Sequence, residues 1–271
     1  MAAVRPSRLL ARTVLVVTGL VFAVPLVAMA EFTLRGPGGY DLSHWTAILD
    51  PGHERAYRSL FQGIGNSLIL AVVTAVIVLV LLVPTMLLVE IRLPRLRRAL
   101  ELVCLLPLTV PAIVLVVGLA PVYSVVTRLA GSAPWTLALA YGVLVLPYAY
   151  RAVAADLAGL DAVTLSEAAR SLGAGPLAVL GRVLLPNLRR GLVAAALITV
   201  AVVLGEYTIA SLLSRTTLQT ALVQVSKSDA YVAVIFSLLS LLFAFALLLG
   251  IGRLARIGLP VGAARSSKGS S

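Results

Sequence analysis

Long apolar stretches separated by short polar connections dominate the chain. Six of them reach the roughly 20 mainly apolar residues that a helix needs to cross a hydrocarbon core about 30 Å thick. They run over about 9–30, 60–89, 100–122, 135–155, 191–213 and 231–251. The pattern predicts an all-α integral membrane protein with six transmembrane helices. Its span domain covers 9–251, between a short N-terminus (1–8) and a basic, Ser/Gly-rich tail (252–271) expected to be disordered. The third and fourth stretches are interrupted by Pro107, Pro111 and Pro147, which spans tolerate where neighbouring helices satisfy the freed carbonyls.

Composition narrows the class further. Hydrophobic residues make up 60% and charged residues 12% of the 271, against about 45–50% and about 25% in soluble domains. That excludes a water-facing fold and a disordered chain. The net charge of +11 would suggest nucleic acid on a soluble protein, but its distribution follows the spans. Sixteen of the 22 basic residues fall in 5–12, 92–98, 151–190 and the tail, and six in the alternate connections. The positive-inside bias puts both termini in the cytoplasm and leaves no nucleic-acid footprint. Arg5, Arg8 and Arg12 before an apolar run ending Ala28-Met29-Ala30 also fit a cleavable signal, which would leave five spans. The run is long for that role, so an uncleaved first span is expected. Cys104 stands alone, so no intrachain disulfide or cysteine-based metal site is available. His44 and His53 lie in the 31–59 connection with no third ligand, which predicts a solvated loop turning at Gly36-Pro37-Gly38-Gly39.

The connection over 156–190 is no linker. Thr164-Leu165-Ser166-Glu167 has the spacing of a capping box. Leu165, Ala168, Ala169 and Leu172 make one apolar stripe, and Gly173 stands where a left-handed residue ends a helix. Gly175-Pro176 restarts a second helix, with Leu177, Leu180, Val183 and Leu184 on its apolar face and Pro186 interrupting it. Two short amphipathic helices joined by a tight turn are predicted. An interfacial helix lying on lipid is the plainer reading; the small Ala168-Ala169 pair favours close approach of another protein.

At these residues the sequence resembles a known family. Glu167-Ala168-Ala169, Gly173 and Val183-Leu184-Leu185-Pro186 are similar, residue type and spacing together, to the EAA loop of permease subunits in binding-protein-dependent ABC importers. Val183 stands where that family usually has isoleucine. Asn66-Ser67-Leu68, Leu106-Pro107-Leu108-Thr109-Val110-Pro111 and Leu146-Pro147-Tyr148, with Asp156 and Asp161, extend the resemblance over roughly 60–250. It implies a type I importer permease core in a bacterial inner membrane. It also implies that Glu167, Ala168, Ala169, Leu172, Gly173, Val183 and Pro186 dock on a cytoplasmic ABC ATPase dimer. The other implied partners are a second permease subunit, expected to be a paralogue, and an extracytoplasmic solute-binding protein. No Gly-x-x-x-x-Gly-Lys-Ser/Thr occurs, so no cofactor is expected on this chain and ATP would be bound by the partner. The chain is expected to be non-catalytic.

For the translocation path the candidates are Glu206, Tyr207 and Asn66. An acid inside a span is costly and marks function by default, either in the path, paired with Arg215 or a partner chain, or as a buried packing group. Leu204-Gly205-Glu206-Tyr207 and the following Thr208-Ile209-Ala210-Ser211-Leu212-Leu213 resemble permeases for polyamines, iron(III), phosphonate or sulfate/molybdate, spermidine/putrescine foremost. The reading from another class, a proton-coupled secondary transporter using Glu206, would call for an inverted repeat that the sequence does not show. An intramembrane enzyme lacks a nucleophile–base constellation.

Overall fold

The computed structural model of the chain describes residues 8–36, 38–48 and 54–256. His53, most of the N-terminal segment and most of the tail lie outside the described residues. The elements in chain order are α1 (Arg8–Phe32), β1 (Arg35–Gly36), β2 (Gly39–Tyr40), α2 (Ser43–Ala47), α3 (Glu54–Arg92), α4 (Arg97–Leu105) and α5 (Ala112–Ala130). There follow α6 (Ala138–Leu157), α7 (Ala162–Ser171), α8 (Pro176–Asn187), α9 (Arg189–Gly205), α10 (Thr208–Leu212), α11 (Leu218–Val225) and α12 (Ala230–Arg256). Helices α1, α3, α5, α6 and α12 are long and apolar enough to cross a membrane, and α8 with α9, bent by 75°, makes a sixth when taken as one broken span.

Two of the expected spans are corrected. The third does not run from 100 to 122: α4 ends at Leu105, a 3-10 turn takes Leu106–Thr109, and the spanning helix α5 starts only at Ala112. Pro107 and Pro111 have no N–H to give the helix ladder, and the residue before Pro111, Val110, is forced extended (φ −104°, ψ 118°). Pro147, by contrast, is absorbed inside α6. The fifth span does not run to 213 as one helix, because α9 stops at Gly205 and Glu206 is extended (φ −87°, ψ 129°). Its 17 residues rise about 26 Å, slightly less than a hydrocarbon core.

The chain forms two compact units. One comprises residues up to Leu60 with Ala221–Phe243. In it the described residues of the 31–48 connection are tied into structure, not merely solvated. A hairpin pairs Arg35 with Tyr40 and Gly36 with Gly39, turning where the glycines were expected to turn it. Phe32 stacks on Tyr231 at 4.7 Å and His44 stacks on the same residue at 3.8 Å. The His44 Nε2 lies 3.0 Å from the Arg35 carbonyl and Trp45 Nε1 donates to Thr33 Oγ1 at 3.1 Å. Tyr57 donates to Asp229, whose other oxygen caps α12 at Val232 N–H.

The other unit comprises Phe61–Thr220 and the residues from Ala244 on. Its core is built on α6, where Tyr141, Val145, Ala149 and Val153 are fully buried. They recur every fourth residue and so form one stripe along the helix. In α9 the residues Gly191, Ala195, Thr199 and Val203 repeat the same spacing and are also buried. The α6–α9 contact is the most extensive between any two helices. Small residues on the stripe let the backbones approach closely, as helix pairs in membranes require.

Candidate functional site

The 156–190 connection is closed at its base by one hydrogen bond. Asp156, in the last turn of α6, accepts the backbone N–H of Gly191 in the first turn of α9 at 2.9 Å. The first N–H groups of a helix have no partner within it, so a carboxylate there satisfies one donor and suits the helix dipole. Gly191 is required by space: a Cβ would lie 2.7 Å from Asp156 Cβ and 3.1 Å from the Ala152 carbonyl. Thirty-five positions separate the two partners, so what leaves α6 and returns to α9 is a closed excursion.

Helix α7 opens three residues earlier than the Thr164 capping box implies. Its N-cap is Asp161, whose carboxylate accepts Thr164 N–H at 3.0 Å and Thr164 Oγ1–H at 2.8 Å. These two bonds hold the Asp161 carboxyl below the usual range. Aspartate at this position satisfies a helix donor as well as threonine would. Glu167 consequently lies in the body of the helix, exposed, and is not the cap partner. At the other end Gly173 adopts φ +86°, with Gly173 N–H bonded to Arg170 O and Ala174 N–H to Ala169 O. That is the double bond pattern of a glycine-terminated helix.

Gly175 caps the next segment and Pro176 starts it. Val179–Leu184 winds as a π-helix, a form seen in single turns and often near functional sites. Pro186 gives no N–H, and beside it the Asn187 side-chain Nδ2 donates to the Val183 carbonyl at 2.7 Å. Beyond Leu188 the chain bends 75° into α9.

The two faces of this excursion differ. Ala162, Ser166, Val179, Leu184 and Leu188 are buried, and Leu165, Ala169 and Leu180 pack against the same cluster. The stripe predicted through Ala168 and Leu172 is rotated: Ala168 is exposed and Leu172 is 90% exposed. Leu177, expected on the inner face of α8, is 83% exposed. The sequence-predicted residues Glu167, Ala168, Leu172, Gly173 and Pro186 are thus on the outside, while Ala169 and Val183 are half-buried. Two exposed leucines, Leu172 and Leu177, thus stand on either side of the glycine turn as an apolar knob, with exposed Glu167 and Arg170 in the helix before it.

The second polar interruption follows α9. Glu206 folds back so that both carboxylate oxygens accept Ile209 N–H, at 3.0 and 3.1 Å, which caps the short α10. Glu206 does not pair with Arg215; Arg215 Nη2 instead donates to Thr127 Oγ1 at 2.8 Å. The hydroxyl of fully buried Tyr141 lies near Glu206 and the Ala210 backbone but short of hydrogen-bond geometry. Asn66 Nδ2 donates to Thr216 O at 2.9 Å, and Ser67 Oγ accepts Leu218 N–H at 2.8 Å. Gln219 Nε2 reaches back to the Leu204 carbonyl at 2.9 Å. Irregular backbone within a span persists only where protein groups satisfy it, and here Asn66 and Ser67 of α3, Glu206, and Gln219 of α11 do so. Tyr207 is 42% exposed and makes no side-chain hydrogen bond among the described residues. Sequence reasoning missed Gln219 and Thr127, ordinary polar residues whose partners are far along the chain.

Comparison with known proteins bears on both interruptions. A family model described as binding-protein-dependent transport system inner membrane component matches residues 87–256, which include the closed excursion and the break after α9. No curated protein sequence matches. Among solved structures, a chain from inward-facing conformations of the MetNI methionine ABC transporter is similar, with TM-score 0.58 and 22% identity. The match covers 75% of this chain and 98% of that one, and at that identity it shows the fold.

Proposed function

We propose a role that starts from the family, since the chain belongs to the inner membrane components of binding-protein-dependent transport systems. In this reading it is a permease subunit of an ATP-driven ABC importer, forming half of a translocation path for a small solute. The observation that carries the reading is the excursion closed by Asp156 and Gly191, with Leu172 and Leu177 held outward at its turn. A partner ATPase groove would bury that knob. Each leucine removed from water contributes about 1.5–3 kcal/mol, and Gly173 lets the partner's surface approach the backbone. A push on the turn reaches α9 through α8, which runs into it at Leu188, while Asp156 holds the first turn of α9 against α6. Motion of α9 in turn reaches Glu206 and the segment bonded to it.

The orientation that fits is the one with the excursion and both termini in the cytoplasm of a bacterial cell. The second permease is then a paralogue, and a binding protein delivers solute from the other side. For the solute the first choice is a polyamine. Glu206 places an acidic side chain at the start of the irregular segment, and the stretch 204–213 resembles polyamine permeases. The experiment is reconstitution of the purified complex with binding protein, followed by labelled spermidine uptake on addition of ATP. Uptake of another solute under the same conditions corrects the cargo alone; uptake by this chain without ATPase, driven by a proton gradient, overturns the importer reading.

A further inference from the structure

Residues 90–106 carry a feature that the transport reading does not use. Helix α3 ends at Arg92, a 3-10 turn takes Pro94–Leu96, and α4 begins at Arg97. Arg92, Arg95, Arg97 and Arg98 are all exposed in this short stretch. Glu90 pairs with Arg97 at 3.2 Å. Among the described residues no acid lies within ion-pair distance of Arg92, Arg95 or Arg98.

Apolar side chains are interleaved with these arginines. Leu96, Leu102, Val103 and Leu106 are each about half or more exposed, Leu102 reaching 70%. Yet α4 is not loose: Cys104 is buried in the core of its unit and Leu100 packs against the same cluster. One face of α4 is therefore fixed, and the outer face offers leucines beside guanidinium groups. Water disfavours the leucines, and hydrocarbon disfavours the arginines. The headgroup layer of a bilayer satisfies both, because arginine stems lie along apolar surface while their heads reach phosphate. Guanidinium binds phosphate oxygens through paired, charge-assisted hydrogen bonds.

We propose that Arg92, Arg95 and Arg98 bind the phosphate headgroup of an anionic phospholipid whose acyl chains lie along Leu102 and Leu106. The occupant is a lipid and not a free anion, because the exposed leucines border the cationic groups and a free anion would leave them in water. This site is independent of the ATPase-docking turn and of the cargo.

The test is native mass spectrometry of the detergent-purified wild-type chain, titrated with phosphatidylglycerol and, separately, phosphatidylcholine. Basic residues near an anionic lipid surface contribute roughly fivefold each in affinity. R92Q/R95Q/R98Q is expected to weaken phosphatidylglycerol binding on the order of 100-fold. The charge-conserving R92K/R95K/R98K retains most of the binding, and R170Q/R182Q/R189Q, changing three arginines of the 156–190 excursion, leaves it unchanged. Equal binding by wild type and the triple glutamine variant overturns the proposal, as does an equal loss in the excursion variant. Saturation by inorganic phosphate, with phosphatidylglycerol adding nothing, also overturns it and assigns the patch to a free anion. So does loss of a co-purifying protein subunit with lipid binding intact, which would make the patch a protein contact.

Discussion

The two ends of α9 solve one problem in opposite ways. At Gly191 the chain leaves an apolar helix through close packing: a glycine against α6, one carboxylate on its N–H, and a compact excursion with buried inner residues. At Gly205 it leaves through hydrogen bonds between backbone groups and scattered side chains, Glu206 and Ser67 accepting, Asn66 and Gln219 donating. Close packing resists any change of volume and transmits displacement. Single hydrogen bonds contribute about 0.5–1.5 kcal/mol each and can be exchanged one at a time. The first end is built as a handle, and the second as a segment that can rearrange when the handle moves.

Substitutions that fill space should therefore separate the two ends most strongly. Gly191→Val adds a Cβ that would stand only 2.7 Å from the Asp156 Cβ. Overpacking of this kind costs about 1–3 kcal/mol or more, so ATP-driven uptake should be abolished and the melting temperature lowered. Gly205→Ala, at a position where a Cβ meets nothing within 4 Å, should keep both. A comparable loss in the two variants, measured by uptake in vesicles and thermal unfolding in detergent, would erase the contrast.

Next in size is Gly173→Val. A β-branched residue at φ +86° bears about 1–2 kcal/mol of backbone strain, localised at the exposed turn. Uptake should fall severely while membrane insertion, followed by protease accessibility, stays intact. The pair L172S/L177S tests the knob without touching the backbone. Both side chains are more than 80% exposed, so stability should change by no more than about 0.5 kcal/mol, whereas retention of the ATPase subunit on a tagged chain drops at least about tenfold. A melting temperature that falls as far as the retention would assign these leucines to the fold instead. The smallest effect belongs to Asn66→Ala, which removes one bond to Thr216 O and should cost about 1 kcal/mol. Faster amide exchange confined to 214–220 is the expected readout.

Asp161 adds a pH dependence to the handle. Its carboxyl titrates below the usual range because Thr164 donates two bonds to the charged form. The stabilisation is complete above the carboxyl's unfolded value, about 4, and is lost as pH falls through the lower folded value. Fraying of α7 should appear in amide exchange only in that acid range, and Asp161→Ala should show it at neutral pH.

Much of the handle is legible in the sequence because its determinants are local. Gly173 and the Gly175-Pro176 pair specify a helix stop and restart from neighbouring residues alone, and the structure has both. The cap is Asp161 and not Thr164: both residue types cap helices, and the box spacing favours the later one. The outward turn of Leu172 and Leu177 escaped periodicity, which locates apolar residues but not which face the rest of the chain leaves free. Hydropathy also carried the fifth span through Glu206 and began the third before its prolines. It sums apolar character and is blind to where N–H groups are missing or side chains take over from the helix ladder. Asp156 and Gly191, like Asn66 and Thr216, are tied over distances along the chain that no local pattern encodes.

The central claim is that the turn at Gly173 is the surface through which a partner ATPase drives α9. A photo-crosslinking residue at position 172 or at position 102, both highly exposed, in the assembled and transport-competent complex tests it most directly. The account predicts a crosslink to the ATPase subunit from 172 and none from 102. An ATPase crosslink from 102 with none from 172, in a complex that still transports, would contradict it.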